Sequence, residues 1–195
     1  VRTVAVVLAA GEGRRLGGPK ALLPIGATTF LAHVCALLDR PGICAVVAVL
    51  GAEADRVRRE SQVGAGVVVH VNERWRAGML TSVWAGLDAA EALEAEGVIL
   101  HPVDTPFVAP ATVEAVVRAL ADGATIVVPS HAGRRGHPAG FSRRTWPALR
   151  AASLDRGARG VLADHPEWTS YVRGDPGCLA DVDLPSDFGR QGRPG

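Results

Sequence analysis

Excess charge of either sign is what this chain most clearly lacks. Its 195 residues carry 21 Lys and Arg against 20 Asp and Glu, a formal net charge of +1. No global field therefore draws it to nucleic acid or to an acidic membrane surface. Cysteine is scarce: Cys35, Cys44 and Cys178 make an odd number and form no C-x-x-C pair. Cys35 and Cys44 stand in apolar stretches and are expected as buried thiols, which suits a reducing cytosol. Long hydrophobic runs are absent as well. The apolar run at residues 4–10 is short, only Arg2 precedes it, and its other arginines follow it. It reads neither as a signal peptide nor as a membrane span, so the expected location is the cytoplasm. None of the six histidines stands in H-E-x-x-H or another zinc spacing. No Ser-His-Asp or Cys-His set is evident, and there is no internal repeat or low-complexity linker. The length suits one domain, expected over residues 1–188, with a polar, Gly-rich tail at 189–195 expected to fray.

What is present is an alternation. Residues 4–8 (VAVVL) read as a strand buried on both faces. Thr28 or Thr29 can cap a helix that runs to about Leu38. Further strands are expected at 44–50, 67–71, 97–100, 125–128 and 169–172. Helices are expected at 54–60, 80–94 and 110–120, the last opened by Pro110. After Pro129 the pattern becomes irregular, with a Gly/Pro/His-rich stretch at 133–140 and then two short helical pieces. Strands alternating with helices predict an α/β fold: a three-layer α/β/α, Rossmann-like architecture with a mostly parallel sheet.

In such sheets ligands bind beyond the carboxyl ends of the strands. The loop after the first strand is Ala9-Ala10-Gly11-Glu12-Gly13-Arg14-Arg15-Leu16-Gly17-Gly18-Pro19-Lys20. Glycines bring backbone N–H groups close to an anion, and Arg14, Arg15 and Lys20 add positive charge, a combination suited to a triphosphate. Two familiar phosphate motifs are excluded. A P-loop needs Ser or Thr after its Lys, and Lys20 is followed by Ala21. The dinucleotide fingerprint needs a third glycine where Leu16 stands.

Leu8-Ala9-Ala10-Gly11 with Arg15, Gly17 and Lys20 resembles the L-A-A-G-x-x-x-R-x-G-x-x-K signature of the MobA-like nucleotidyltransferases, which share the nucleotide-diphospho-sugar transferase fold. Within that family the chain is most similar to the molybdenum-cofactor cytidylyltransferase branch. The likeness extends to about Phe188. The resemblance implies that Leu8, Ala9, Ala10, Gly11, Gly13, Arg15 and Lys20 bind nucleotide. Arg15, Lys20 and Asp104 are its implied catalytic groups.

Asp104 follows the fourth major strand directly, facing the same crevice as the first loop. Mg²⁺ takes one or two carboxylates plus phosphate and water. The resemblance makes Asp104 its main ligand; a helix cap ahead of Pro106 is the plain alternative. Ala180-Asp181-Val182-Asp183-Leu184-Pro185-Ser186-Asp187 resembles the family's D-x-D-T-P-x-D segment, with Leu184 in place of Thr. Alternation puts Asp181 and Asp183 on one face. Asp183 is taken as the second ligand, against a solvated turn for the pair, and Asp187 as a cap or solvent-facing residue. Asn72-Glu73-Arg74-Trp75-Arg76-Ala77-Gly78-Met79-Leu80-Thr81-Ser82 resembles N-x-x-W-x-x-G-M-x-x-S, which implies nucleotide contacts at Asn72, Gly78 and Ser82. Helix capping by Thr81 and a core role for Trp75 stay open. Gly133-Arg134-Arg135-Gly136-His137-Pro138 resembles G-x-x-G-H-P and assigns Arg135, Gly136, His137 and Pro138 to the acceptor side. His137 satisfying a turn is the alternative. Residues 155–160 (DRGARG) resemble a family segment that helps hold an acceptor phosphate.

The expected reaction is in-line attack by an ionised acceptor phosphate on the α-phosphorus of an NTP, with pyrophosphate leaving. No general base is needed, and the protein positions and neutralises two anions. The resemblance favours molybdopterin as acceptor with CTP as donor, and Ala10 is the residue usual in the family's cytidylyl branch. Sugar phosphates and other small phosphorylated acceptors stay open, and a molybdoenzyme is a candidate partner. A nicotine-blue-oxidoreductase type of NAD(P)H enzyme and a non-catalytic cofactor chaperone are the alternatives from other classes.

Overall fold

The computed structural model of the protein describes residues 1–183. The strands are β1 (Thr3–Ala9), β2 (Pro24–Ile25), β3 (Thr28–Thr29), β4 (Ile43–Leu50), β5 (Val67–Val71), β6 (Gly97–Pro102), β7 (Ile126–His131), β8 (Arg134–Arg135), β9 (Ala139–Ser142) and β10 (Thr169–Arg173). The helices are α1 (Phe30–Leu38), α2 (Ala54–Glu60), α3 (Met79–Ala92), α4 (Pro110–Ala121), α5 (Trp146–Ala151) and α6 (Gly157–Asp164). The expected end of the domain at 188, Asp187 and the 189–195 tail lie outside the described residues.

One mixed sheet runs β10-β7-β9-β6-β1-β4-β5, with β8 paired to β7. β1 is parallel to both β4 and β6. Its seven residues are all buried, as a strand covered on both faces requires. Alternation splits them between two cores. Ala5, Val7 and Ala9 face one cluster with Val34, Leu38, Val57, Val113 and Val116 from α1, α2 and α4. Val4, Val6 and Leu8 face the other, with Leu80, Val83, Leu87, Trp146 and Val161 from α3, α5 and α6. This is the three-layer α/β/α arrangement with a mostly parallel sheet that the alternation predicts.

After β1 the chain builds outward through β4 and β5, then crosses to place β6 on β1's other side. The loops after β1 and β6 part at this reversal of strand order, which opens a crevice at the sheet's carboxyl edge. The glycine loop, Asn72 and Asp104 follow the carboxyl ends of β1, β5 and β6 and so come to that edge.

Two expectations are corrected. The 133–140 stretch is not wholly irregular. It holds β8 and enters β9, which lies antiparallel between β6 and β7. Ala139-Gly140-Phe141-Ser142 is short and three of its four residues are small, so it lacks a strand's apolar pattern. Its glycine is needed for packing: a Cβ at Gly140 would come within 2.8 Å of Leu120 and 2.9 Å of Val116. Cys44 is exposed, whereas Cys35 and Cys178 are buried. Cys44 sits near the start of β4, where the strand has not yet come under cover. Burial pushes the Cys35 thiol up to about 12, which leaves it unreactive. A thiol reagent is therefore expected to modify one cysteine rapidly in the native protein. Peptide mapping should find it at Cys44, with Cys35 and Cys178 reacting only after denaturation.

Caps fall where local chemistry directs them. Thr29, not Thr28, caps α1 by accepting from the Ala32 N–H at 3.3 Å. α4 is capped from outside: Asp175 Oδ1 accepts from the Ala109 N–H at 3.0 Å and from Thr112 Oγ1 at 2.6 Å. Asp104 is thus not the cap of this helix. Among the described residues no helix is long and apolar enough to cross a membrane.

Candidate active site

The first loop leaves β1 and folds into two short 3-10 turns, Arg14–Leu16 and Lys20–Leu22. Gly13 makes this possible. It sits at φ 62°, and its carbonyl accepts from the N–H groups of Leu16 (2.9 Å) and Gly18 (3.3 Å). A Cβ there would strike the Gly18 carbonyl. Arg15 is exposed on this loop, and Arg14 pairs with Glu12 at 2.6 Å. Gly13, Arg14, Arg15, Leu16, Lys20 and Asp183 enclose a shallow cleft of about 230 Å³.

Lys20 is the centre of the arrangement. Its Nζ donates to Asp104 Oδ2 at 2.7 Å and to Asp183 Oδ1 at 2.7 Å. Three segments far apart in sequence thus converge on one point. Burial alone pulls the ammonium down, but the hydrogen bonds and charges of Asp104 and Asp183 outweigh it and hold Lys20 above its ordinary value. The C-terminal acidic segment is pinned here by main chain: Val182 is buried, and its N–H donates to the Asp104 carbonyl at 2.8 Å. Asp181 and Asp183 do different work. Asp181 Oδ1 accepts from Thr105 Oγ1 at 3.1 Å, while Asp183 reaches Lys20.

Two carboxylates that share one ammonium at 2.7 Å each are hard oxygen donors aimed at a common point, a donor set suited to Mg²⁺ or Mn²⁺. Among the described residues no group of three or more His, Cys, Asp or Glu side chains is arranged to hold a metal.

Asn72 and Ser82 are brought together but turned inward. Both are buried, and Asn72 Nδ2 donates to Thr81 Oγ1 at 2.8 Å and Ser82 Oγ at 3.0 Å. Asn72 Oδ1 accepts from the Arg74 N–H at 2.9 Å, an Asx turn that shapes the approach to α3. Gly78 stands at φ 118° as the residue before that helix. Trp75 is half-buried with the Arg76 guanidinium 4.4 Å over its ring, so it is not a core aromatic.

On the other side of the crevice lies a larger chamber of about 410 Å³. Leu8, Leu80, Val83, Leu100, Val128 and Phe141 supply an apolar wall; Arg135, His137, Arg156 and Arg159 bring the polar groups. The expected acceptor residues Arg135, Gly136 and His137 all line it; Pro138 is buried behind. Arg135 lies 5.5 Å over the Tyr171 ring. The His137 N–H donates to the Cys178 carbonyl at 2.8 Å, which ties this strip to the acidic segment. A Cβ at Gly136 would meet Cys178 Sγ at 2.5 Å and Cys178 C at 2.9 Å. Gly136→Ala is therefore expected to cost about 1–3 kcal/mol by overpacking, read as a lower denaturant midpoint.

Sequence reasoning missed His101. It is fully buried at the end of β6, and its Nε2 lies 2.9 Å from the Thr105 carbonyl. Its ring meets His137 edge-on at 6.4 Å. Burial first, then the His137 charge, lowers it to about 3. The folded protein keeps His101 neutral, while the unfolded chain takes up a proton below about 6.5. Its contribution to stability is full above that pH and is lost as pH falls toward 3. The unfolding midpoint should drop with acidification below pH 6.5, and less steeply in His101→Gln. His137 is lowered too, by burial first and then by Arg159, against the pull of Asp181 and Asp104. The signal that would have found His101 is its place three residues before Asp104, at the same strand end.

Several known proteins are similar to this chain. The molybdenum cofactor guanylyltransferase of Rhodobacter capsulatus is 32% identical over 202 residues, covering 97% of this chain and 95% of that protein. The nicotine blue oxidoreductase of Paenarthrobacter nicotinovorans is 35% identical over 169 residues, covering 83% and 81%. Rv0371c of Mycobacterium tuberculosis H37Rv superposes with a TM-score of 0.80 at 31% identity over 97% of each chain. Its structure in complex with manganese superposes at 0.73, with 30% identity and 97% of each chain covered. The MobA-like NTP transferase domain family matches residues 5–168, a span that takes in the glycine loop, Lys20, Asp104 and the strip at 133–138. The protein therefore belongs to the MobA-like NTP transferase family.

Proposed function

We propose that the protein transfers the nucleoside monophosphate of an NTP to a small phosphorylated acceptor, with Mg²⁺ as cofactor. The observation that carries this is the convergence of Lys20, Asp104 and Asp183 at one point beside a glycine-rich basic loop. An acceptor phosphate oxygen forms a bond to the α-phosphorus, the bond from that phosphorus to the bridging oxygen breaks, and pyrophosphate carries the electron pair away. The acceptor is already ionised at neutral pH, so no residue need remove a proton. Arg15, exposed on the loop, suits the β- and γ-phosphates, and Lys20 suits the α-phosphoryl oxygens. Asp104 and Asp183 would hold the Mg²⁺, which when bound would offset the charge developing on the phosphates. Arg135, His137 and Pro138, with Gly136 allowing close approach, serve the acceptor. Leu8, Ala9, Ala10, Gly11, Gly13, Asn72, Gly78 and Ser82 shape the nucleotide side. Asn72 and Ser82 act there through the hydrogen-bond set that orders the start of α3.

The reading carries a cytoplasmic setting, molybdopterin as the acceptor and a molybdoenzyme as downstream partner. For the donor, Ala10 favours CTP, whereas the named Rhodobacter relative is a guanylyltransferase. Pyrophosphate release with CTP, GTP, ATP and UTP, with and without molybdopterin, tests both assignments. Release with one NTP that depends on the pterin fixes donor and acceptor together. The Paenarthrobacter relative supports a second reading, an NAD(P)H oxidoreductase. NAD(P)H oxidation with a quinonoid dye and no pyrophosphate release with any NTP would put that reading first.

A further inference from the structure

The side chain of Asp104 is held by Lys20, but its backbone is held by something else. Asp104 and Thr105 form a turn that leaves β6, and three contacts fix it. The Thr105 N–H donates to the Pro102 carbonyl at 3.3 Å, the Val182 N–H donates to the Asp104 carbonyl at 2.8 Å, and His101 Nε2 lies 2.9 Å from the Thr105 carbonyl. The first is a long local turn contact. The second depends on the C-terminal segment coming home. The His101 contact arises within the strand end itself, from a side chain with no exposure to water.

A carbonyl only accepts, so this contact needs the His101 tautomer with its hydrogen on Nε2. The donor then sits on a rigid ring wedged in the core, with His137 edge-on against it. A buried carbonyl left without its donor loses far more than an exposed one, so the turn is strongly biased toward the conformation in which this bond forms. Thr105 is buried as well, and its hydroxyl donates to Asp181. One histidine thus reaches both acidic segments through a single residue.

We propose that His101 is a positioning residue: its Nε2–H, through the Thr105 carbonyl, sets the turn that aims the Asp104 carboxylate at the shared cation point. This rests on Asp104 being a metal ligand, but the turn geometry can be read without any metal. The role needs a donor at the Nε2 position, not an imidazole as such. Gln reaches that position with an amide N–H; Phe fills the volume and offers no donor.

The test compares wild type, His101→Gln, His101→Phe and Asp104→Ala. Mn²⁺ affinity by calorimetry is one readout, and hydrogen exchange at the Val182 amide, whose acceptor is the Asp104 carbonyl, is the other. His101→Phe is expected to bind Mn²⁺ at least about tenfold more weakly and to exchange Val182 about tenfold faster, the scale of one lost buried hydrogen bond. His101→Gln should restore both. If the Phe variant does not fold, His101→Asn, too short to reach Thr105, takes its place with the same expectation. Wild-type values for both readouts in the donor-free variant would overturn the proposal. So would a Gln variant as impaired as the Phe variant, since packing rather than the donor would then be at work. If Asp104→Ala binds Mn²⁺ as wild type does, the metal reading fails on its own, and the Val182 exchange rates still decide the positioning role.

Discussion

Asp104→Ala is expected to turn over at least ~10²-fold more slowly than wild type at saturating Mg²⁺ and NTP, the scale seen when one preorganised electrostatic element is removed. The reason lies in how few groups share its task. Among the described residues the converging carboxylates at this point are Asp104 and Asp183, held at 2.7 Å from one ammonium. The Asp183 side chain is more than half exposed, whereas that of Asp104 is mostly covered. Field lines from a covered charge are less screened by water, so the loss should be larger at Asp104 than at Asp183. Pyrophosphate release across a series of Mg²⁺ concentrations checks both points. A near-normal rate at saturating Mg²⁺ in Asp104→Ala would remove the metal assignment.

The second large effect is at Lys20, and it runs in two directions. Its ammonium sits where a bound cation would be needed, at 2.7 Å from both carboxylates. A divalent ion arriving without nucleotide must displace that charge or share the carboxylates with it. At about 4 Å two unit charges repel by roughly 4 kcal/mol even at an effective dielectric near 20. Lys20→Met removes the competitor and keeps the volume. It should therefore bind Mn²⁺ in the absence of NTP about tenfold or more tightly than wild type, a conservative share of that repulsion. The same variant should lose about 10²-fold or more in kcat, because the proposed mechanism sets that cation against the α-phosphoryl group in the transition state. Titration calorimetry with Mn²⁺ alone and steady-state kinetics separate the two effects. A rise in KM at constant kcat would mean that Lys20 serves binding only. Unchanged or weaker Mn²⁺ affinity would mean that the ammonium and the metal do not contend for one place.

Gly13 bears on the same chemistry from the loop side. Its φ of 62° and the Gly18 carbonyl packed against it leave no room for a side chain. Gly13→Ala should unseat the 3-10 turn that carries Arg15 and weaken NTP binding more than it weakens folding. Equilibrium nucleotide binding beside a melting curve would show it, and a variant that binds as wild type would mean the turn is dispensable.

Much of this molecule was legible in residue order alone. A strand that is apolar at every position, as at 4–8, has to be covered on both faces, and the alternation of such strands with helices leaves few ways to wind a sheet. Pro110 and the glycines of the first loop declare their backbone roles by residue type, because first turns and left-handed turns admit few alternatives, whereas residue type leaves the α1 cap between Thr28 and Thr29 and the structure takes Thr29. The loop motif and Asp104 were readable because strand ends in such a sheet all point to one crevice. What the tertiary structure decided are the features that depend on partners distant in sequence. β9 carries three small residues out of four and becomes a strand only because β6 and β7 offer both edges. Cys44 looks as apolar as its neighbours, yet the start of β4 lies beyond the helices that bury the rest. Asn72 and Ser82 stand ten residues apart in a motif and prove to bond each other. Lys20, Asp104 and Asp183 meet across separations of 84 and 163 residues. Periodicity fixes which face a side chain takes, because it is a local property of the backbone. Which charges meet depends on how whole elements pack, and no spacing in the chain encodes that.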